Sequence, residues 1–124
     1  MFCLWRREPQ RPASRLPRHR RQVSARWTPP AGWESYKGII HGGIISAILD
    51  EAMSKAIHST GDEAFTAELR IRFRKKLCVG DSAVVNGWIV SAGKRKIEAE
   101  ASLASEYGEE KAHAWAVFLP ARRS

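Results

Sequence analysis

The chain has 124 residues, two cysteines and a formal net charge of +8. That length suits one domain, two cysteines give neither a disulfide framework nor a paired-cysteine zinc motif, and no apolar run reaches the roughly 18 residues that span a bilayer. The excess charge belongs to an appendage: residues 1–22 hold seven arginines and one acid, while residues 23–124 are close to neutral, which argues against nucleic acid as the partner of the folded part.

Residues 1–22 interleave Pro9, Pro12 and Pro17 with the arginines. A segment this polar buries too little to offset its ordering entropy, so it reads as a poorly ordered basic tail. It could touch RNA or an acidic surface, act as an Arg-rich targeting segment, or have no specific role. Its prolines oppose the amphipathic helix of a transit peptide, and Met1 to Trp5 is too short for a signal-peptide core. With so few cysteines, a reducing, cytoplasmic setting is the expectation.

Residues 23–124 read as one domain. Val23, Ala25 and Trp27 alternate with polar residues, a short strand. Pro29-Pro30-Ala31-Gly32 breaks it, and Trp33 to Ile40 reads as a loop. A helix follows from about Gly43 to Ile57, and Gly61-Asp62 marks a turn. Phe65, Ala67, Leu69, Ile71 and Phe73 then alternate with polar partners, a long strand with its apolar members on one face. Val79-Gly80-Asp81 is a turn. Ala83 to Val90 is a strand, with Gly87 at a bulge. A basic connection, Lys94-Arg95-Lys96, leads to a strand over Ile97 to Ser105, and a last strand covers Lys111 to Leu119. One helix, apolar around most of its circumference, is buried. Against a meander of four strands it makes an α+β fold.

The chemistry concentrates at that helix. Gly42 and Gly43 stand at its mouth, where free backbone N–H groups and a partial positive charge favour a negative ligand atom. Glu51 and Lys55, four apart, form an exposed face in the order that suits an ion pair. Asp50 lies off that face, between the apolar side and a stripe of Ser46 and Ser54. It is either an edge residue satisfied by Ser54, or a carboxylate desolvated enough to act as nucleophile or general base. Thr66 opens the next strand on the polar side of the alternation.

The run His41-Gly42-Gly43 with Asp50 seven residues later resembles the hotdog-fold acyl-CoA thioesterases of the PaaI-like type, within the 4-hydroxybenzoyl-CoA thioesterase-like superfamily. So do the approach Gly38-Ile39-Ile40, the strand entry Thr66-Ala67-Glu68-Leu69-Arg70-Ile71-Arg72-Phe73 and the turn Val79-Gly80-Asp81. The resemblance covers about residues 23–119. It implies a curled antiparallel sheet wrapped around the helix, and a homo-oligomer, dimer or dimer of dimers, with active sites between subunits. It implies hydrolysis of an acyl-CoA without metal or cofactor. Asp50 matches the catalytic carboxylate, and Gly43 the residue whose backbone N–H polarises the thioester carbonyl. Gly42 shapes that turn, and His41 matches a positioning residue. Thr66 matches a Ser/Thr that orients the water or Asp50 across the subunit interface. Lys94, Arg95 and Lys96 either fall where relatives often bind coenzyme A or form a solvated charged turn.

Two positions depart from the pattern. Ser35 stands where some relatives carry an asparagine that adds a side-chain donor to the thioester. Residues 1–22 have no counterpart of the relatives' N-terminal helix. Both keep open a second reading, a hotdog-fold protein that holds acyl-CoA or assembles without turnover. The cluster Arg70, Arg72, Arg74, Lys75 and Lys76 reads as an outer sheet face. Trp33 and Tyr36 either line an acyl pocket or pack. Cys78 reads as structural, and His58 and His113 lack metal-ligand spacing.

Overall fold

The computed structural model describes residues 6–7, 22–29, 32, 34–36 and 38–121. Of the basic tail this includes only Arg6, Arg7 and Gln22, so its reading as poorly ordered lies outside the described residues, as does Trp33. The elements in chain order are β1 (Arg6–Arg7), β2 (Gln22–Trp27), β3 (Glu34–Tyr36), β4 (Ile39–Ile40), α1 (Gly42–His58), β5 (Ala64–Phe73), β6 (Ala83–Ala92), β7 (Ile97–Ser105) and β8 (Glu110–Pro120).

Six strands form one antiparallel sheet in the order β1-β2-β6-β7-β8-β5. The helix α1 lies on one face of it, mostly over β6. Ile45, Ile48, Leu49, Ala52, Met53, Ala56 and Ile57 of the helix are buried. The strands answer with period two: Ala83, Val85 and Ile89 on β6, Ile97, Ala99, Ala101 and Leu103 on β7, and Ala112, Ala114, Ala116 and Phe118 on β8. Most of these sheet residues are alanines, so the helix can lie close to the strands and the sheet can curl around it.

Gly87 is where the approach is tightest. A Cβ there would stand 2.5 Å from the carbonyl oxygen of Ala52. The glycine therefore serves helix–sheet contact and not a bulge; the register shift of β6 falls two residues later, between Ile89 and Ser91.

The segment expected as a loop is a small hairpin, β3 against β4. Backbone bonds from Ile40 N–H to the Leu77 carbonyl and from Val79 N–H to the Gly38 carbonyl, both 2.8 Å, tie it to the turn before β6. Two such bonds fix the approach to the helix mouth.

The largest departure from the sequence expectation is in β5. Its register against β8 shifts between Thr66 and Glu68. An extra residue at that point reverses which side chains face the helix. Thr66 pairs with the buried Phe118, while Phe65 pairs with Leu119 on the outer face and is 57% exposed. Beyond the shift Leu69, Ile71 and Phe73 pair with Ala116, Ala114 and Ala112 on the helix side. Leu69 and Phe73 stay 40% and 52% exposed even so, because β5 is the edge strand and none of the described residues flanks it.

Candidate active site

His41 is the N-cap of α1. Its carbonyl accepts the Ile44 and Ile45 amides, and its ring Nδ1 accepts the Gly43 N–H at 2.8 Å. A side-chain acceptor at this position satisfies one of the orphan donors of the first turn. An accepting Nδ1 also sets the neutral tautomer with its proton on Nε2. The Gly43 N–H is thereby committed to His41. The Gly42 N–H has no acceptor among the described residues. The free donor at the mouth is therefore one residue earlier than the motif suggested. The Phe73 ring lies beside it, 3.5–3.6 Å from where a Gly42 Cβ would stand.

Asp50 is half-buried, two turns into the helix. The Thr66 hydroxyl donates to its Oδ1 at 2.8 Å. This contact is made within one chain, not across subunits as the resemblance implied. It exists because the shift in β5 turns Thr66 toward the helix. Ser46 donates to the Gly42 carbonyl instead, at 2.9 Å, and Asp50 takes no bond from Ser54. Its Oδ2 is left without a hydrogen-bond partner among the described residues. Glu51 and Lys55 do not form the expected ion pair; at an exposed i,i+4 site solvent competes on nearly equal terms.

The helix mouth and the carboxylate are far apart. Eight residues at 1.5 Å each separate Gly42 from Asp50 by about 12 Å along the axis. A thioester carbon and its oxygen are bonded to each other, so one chain's Gly42 and Asp50 cannot both touch them.

Lys94 and Arg95 lie in the exposed turn between β6 and β7 and line an open groove of about 1080 Å³ at the Ala64 end of β5. Lys96 is diverted to Glu98, 3.4 Å away. Ser35 lies on β3, upstream of the helix mouth. The arginine cluster is an outer-face feature: the Arg70 guanidinium sits 5.2 Å over the Trp115 ring, and Arg74 faces Glu110 at 3.4 Å. Lys75 and Lys111 hold the Glu109 carboxyl below its ordinary range by hydrogen bonds and charge. His113 lies on the same outer face between Glu110 and Glu100, at 2.7 and 3.0 Å. Cys78 is half-buried in the bridge to Ile39. Phe73, beside Gly42, is a site neighbour that the sequence does not single out. It belongs to the alternation read as one apolar face, and the edge position that exposes it leaves no mark in composition.

The thioesterase superfamily family description matches residues 37–112, a span that includes His41, Gly42, Asp50, Thr66 and the Lys94–Lys96 turn. The acyl-coenzyme A thioesterase THEM5 of Mus musculus is 38% identical over 53 residues, 43% of this chain and 21% of that protein. The chain thus matches about a fifth of the length of this curated relative. Among solved structures, smu.793 of Streptococcus mutans UA159, bound to acetyl CoA, has a TM-score of 0.78 at 22% identity, covering 82% of each chain. A hypothetical thioesterase of Streptococcus pneumoniae TIGR4 with coenzyme A has a TM-score of 0.80 at 18% identity, covering 98% of this chain and 89% of that one. These likenesses establish the hotdog fold. Alanine variants of the pneumococcal protein replace an aspartate and a threonine sixteen residues apart, the spacing of Asp50 and Thr66.

Proposed function

The chain belongs to the thioesterase superfamily, and from this premise we propose that it hydrolyses the thioester of an acyl-coenzyme A. The observation that carries the reading is the 2.8 Å bond from Thr66 to a half-buried Asp50 whose second oxygen has no partner among the described residues. Thr66 is the positioning residue: its donated bond fixes the carboxylate plane and leaves Oδ2 available. That oxygen acts on the thioester carbon directly or by taking a proton from water. In the water route, hydroxide adds to the carbon and the carbonyl oxygen becomes an oxyanion. The C–S bond then breaks, and the departing thiolate takes the proton from Asp50. Single turnover in ¹⁸O-labelled water identifies direct attack followed by water addition at the Asp50 carboxyl carbon, because only that sequence delivers an unlabelled Asp50 oxygen to the first product.

The oxyanion donor in this reading is the Gly42 N–H, since the Gly43 N–H already serves His41. A donor aimed at charge that appears only in the transition state is worth on the order of 100-fold in rate or more. The roughly 12 Å between Gly42 and Asp50 is bridged by a second copy of the chain. Within one chain Phe73 rests at Gly42 and Thr66 holds Asp50, so the helix mouth and the carboxylate sit toward opposite ends of β5. Two-fold pairing of the open β5 edges sets each end against the other end of its mate. Asp50 then meets the partner subunit's Gly42. The same pairing covers Leu69 and Phe73.

The test is release of coenzyme A from a panel of acyl-CoA thioesters, followed with a thiol reagent. The expected result is turnover by the wild type and a loss of at least 100-fold in Asp50→Ala. Tight binding of acyl-CoA with no turnover in the wild type would overturn the reading in favour of a binding protein.

A further inference from the structure

Two rings flank the helix mouth, where the Gly42 N–H is unbonded among the described residues. On the Gly43 side the His41 imidazole folds back over the first turn, and a Gly43 Cβ would lie 3.0 Å from its Cε1 and Nδ1. That flank has no room for another carbon. On the Gly42 side the Phe73 ring stands further off. A Gly42 Cβ would lie 3.5 and 3.6 Å from Phe73 Cζ and Cε1, which is ordinary carbon–carbon contact. The layer between Gly42 and the ring is therefore one carbon deep.

The backbone holds the ring in place. Phe73 is the last residue of β5 and pairs with Ala112. The next two amides, of Arg74 and Lys75, both donate to the Lys111 carbonyl, at 2.7 and 3.1 Å. The chain is thus anchored on each side of Phe73. The residue is half exposed, so its ring walls an opening and is not part of the core.

We propose that Phe73 is a specificity-determining residue for the acyl group, admitting an unbranched carbon next to the thioester carbonyl and excluding a branched one. The inference rests on the reading of Gly42 as the oxyanion donor and adds the acyl class to it. A carbonyl oxygen bonded to the Gly42 N–H at about 2.9 Å brings the first acyl carbon within about 5 Å of that nitrogen. This carbon suits the apolar ring, while the sulfur with the polar arm of coenzyme A takes the open side. A CH₂ fills a layer one carbon deep in contact with both walls. A branch on the same carbon collides with the ring or with Gly42. One carbon too many in a fitted site is worth about 10–200-fold in kcat/KM.

Butyryl-CoA and isobutyryl-CoA hold the same atoms and differ only in this branch, so the ratio of their kcat/KM values isolates it. The wild type should favour butyryl-CoA at least about tenfold. Phe73→Leu removes Cε1 and Cζ while keeping an apolar side chain on the β5 edge, and Phe73→Ala clears the flank altogether. Each should bring the ratio close to one. Melting curves and light scattering check that fold and assembly are kept. A merely structural role would slow both isomers alike and leave the ratio where it was. Asp50→Asn adds a readout without turnover: by calorimetry it should bind butyryl-CoA several-fold tighter than isobutyryl-CoA, and adding Phe73→Leu should erase the difference. A wild type that treats the isomers equally, or a ratio that survives Phe73→Leu, overturns the proposal. A wild type that hydrolyses neither isomer defeats the catalytic reading alone; the binding preference then decides this one, and equal binding overturns it.

Discussion

Among the described residues, Asp50 is held in one orientation by a single side-chain bond, from the Thr66 hydroxyl. Removing the hydroxyl leaves the carboxylate free to turn, so Thr66→Ala should lower kcat about tenfold or more with little change in KM, and Thr66→Ser should restore most of it. This is the behaviour of a group that positions a catalytic base. Equal kcat in all three proteins would show that the bond is incidental. Gly42 allows a sharper test. It is the first residue of α1, its N–H is unbonded among the described residues, and His41 before it is extended (φ −58°, ψ 133°). Proline is well tolerated at this helix position and asks for an extended predecessor. Gly42→Pro should therefore keep the melting temperature within a few degrees while cutting kcat about 100-fold by deleting an oxyanion donor. Full activity in this variant would move the role elsewhere.

At the scale of elements, two strands adapt the sheet to the helix in different ways. The first, β6, yields space: Gly87 has no Cβ because the Ala52 backbone occupies its place. Gly87→Ala should destabilise the fold by about 1–3 kcal/mol through overpacking, read as a lower denaturant midpoint at unchanged slope. An unshifted midpoint would mean the helix moves away freely. The other strand, β5, yields register. One residue added between Thr66 and Glu68 moves a threonine to the helix side and a phenylalanine to the outside. The helix itself follows from its sequence, since an apolar circumference leaves burial as the only stable option. Alternation alone put Phe65, Leu69 and Phe73 together on one face. Bulges count residues that pairing needs and hydropathy does not record.

For the whole molecule, the open β5 edge is the dominant fact. A ten-residue strand with one side unpaired among the described residues, and with Leu69 and Phe73 exposed, is a template for another strand. If the proposed composite site holds, Leu69→Asp should block β5 pairing, giving a monomer by light scattering and a large loss of thioester hydrolysis, because each Asp50 would lose the partner subunit's Gly42. A monomer with full activity would refute the composite site. Among the described residues no helix is long and apolar enough to cross a membrane. The surface charge is locally balanced around the Glu109 hairpin, where Lys75 and Lys111 flank one carboxylate.

The sequence by itself determined the helix, the meander and their α+β association, because periods of 3.6 and 2.0 report burial directly. It also determined the spacing of His41, Asp50 and Thr66, which local motifs carry. Three matters were decided only by the tertiary structure. Thr66 meets Asp50 within one chain, the Gly43 N–H is taken by the His41 ring, and the free Gly42 N–H lies about 12 Å from the carboxylate. Each depends on register, capping geometry or distance along an axis. These are relations between residues in space, and a linear pattern of hydropathy and charge does not encode them.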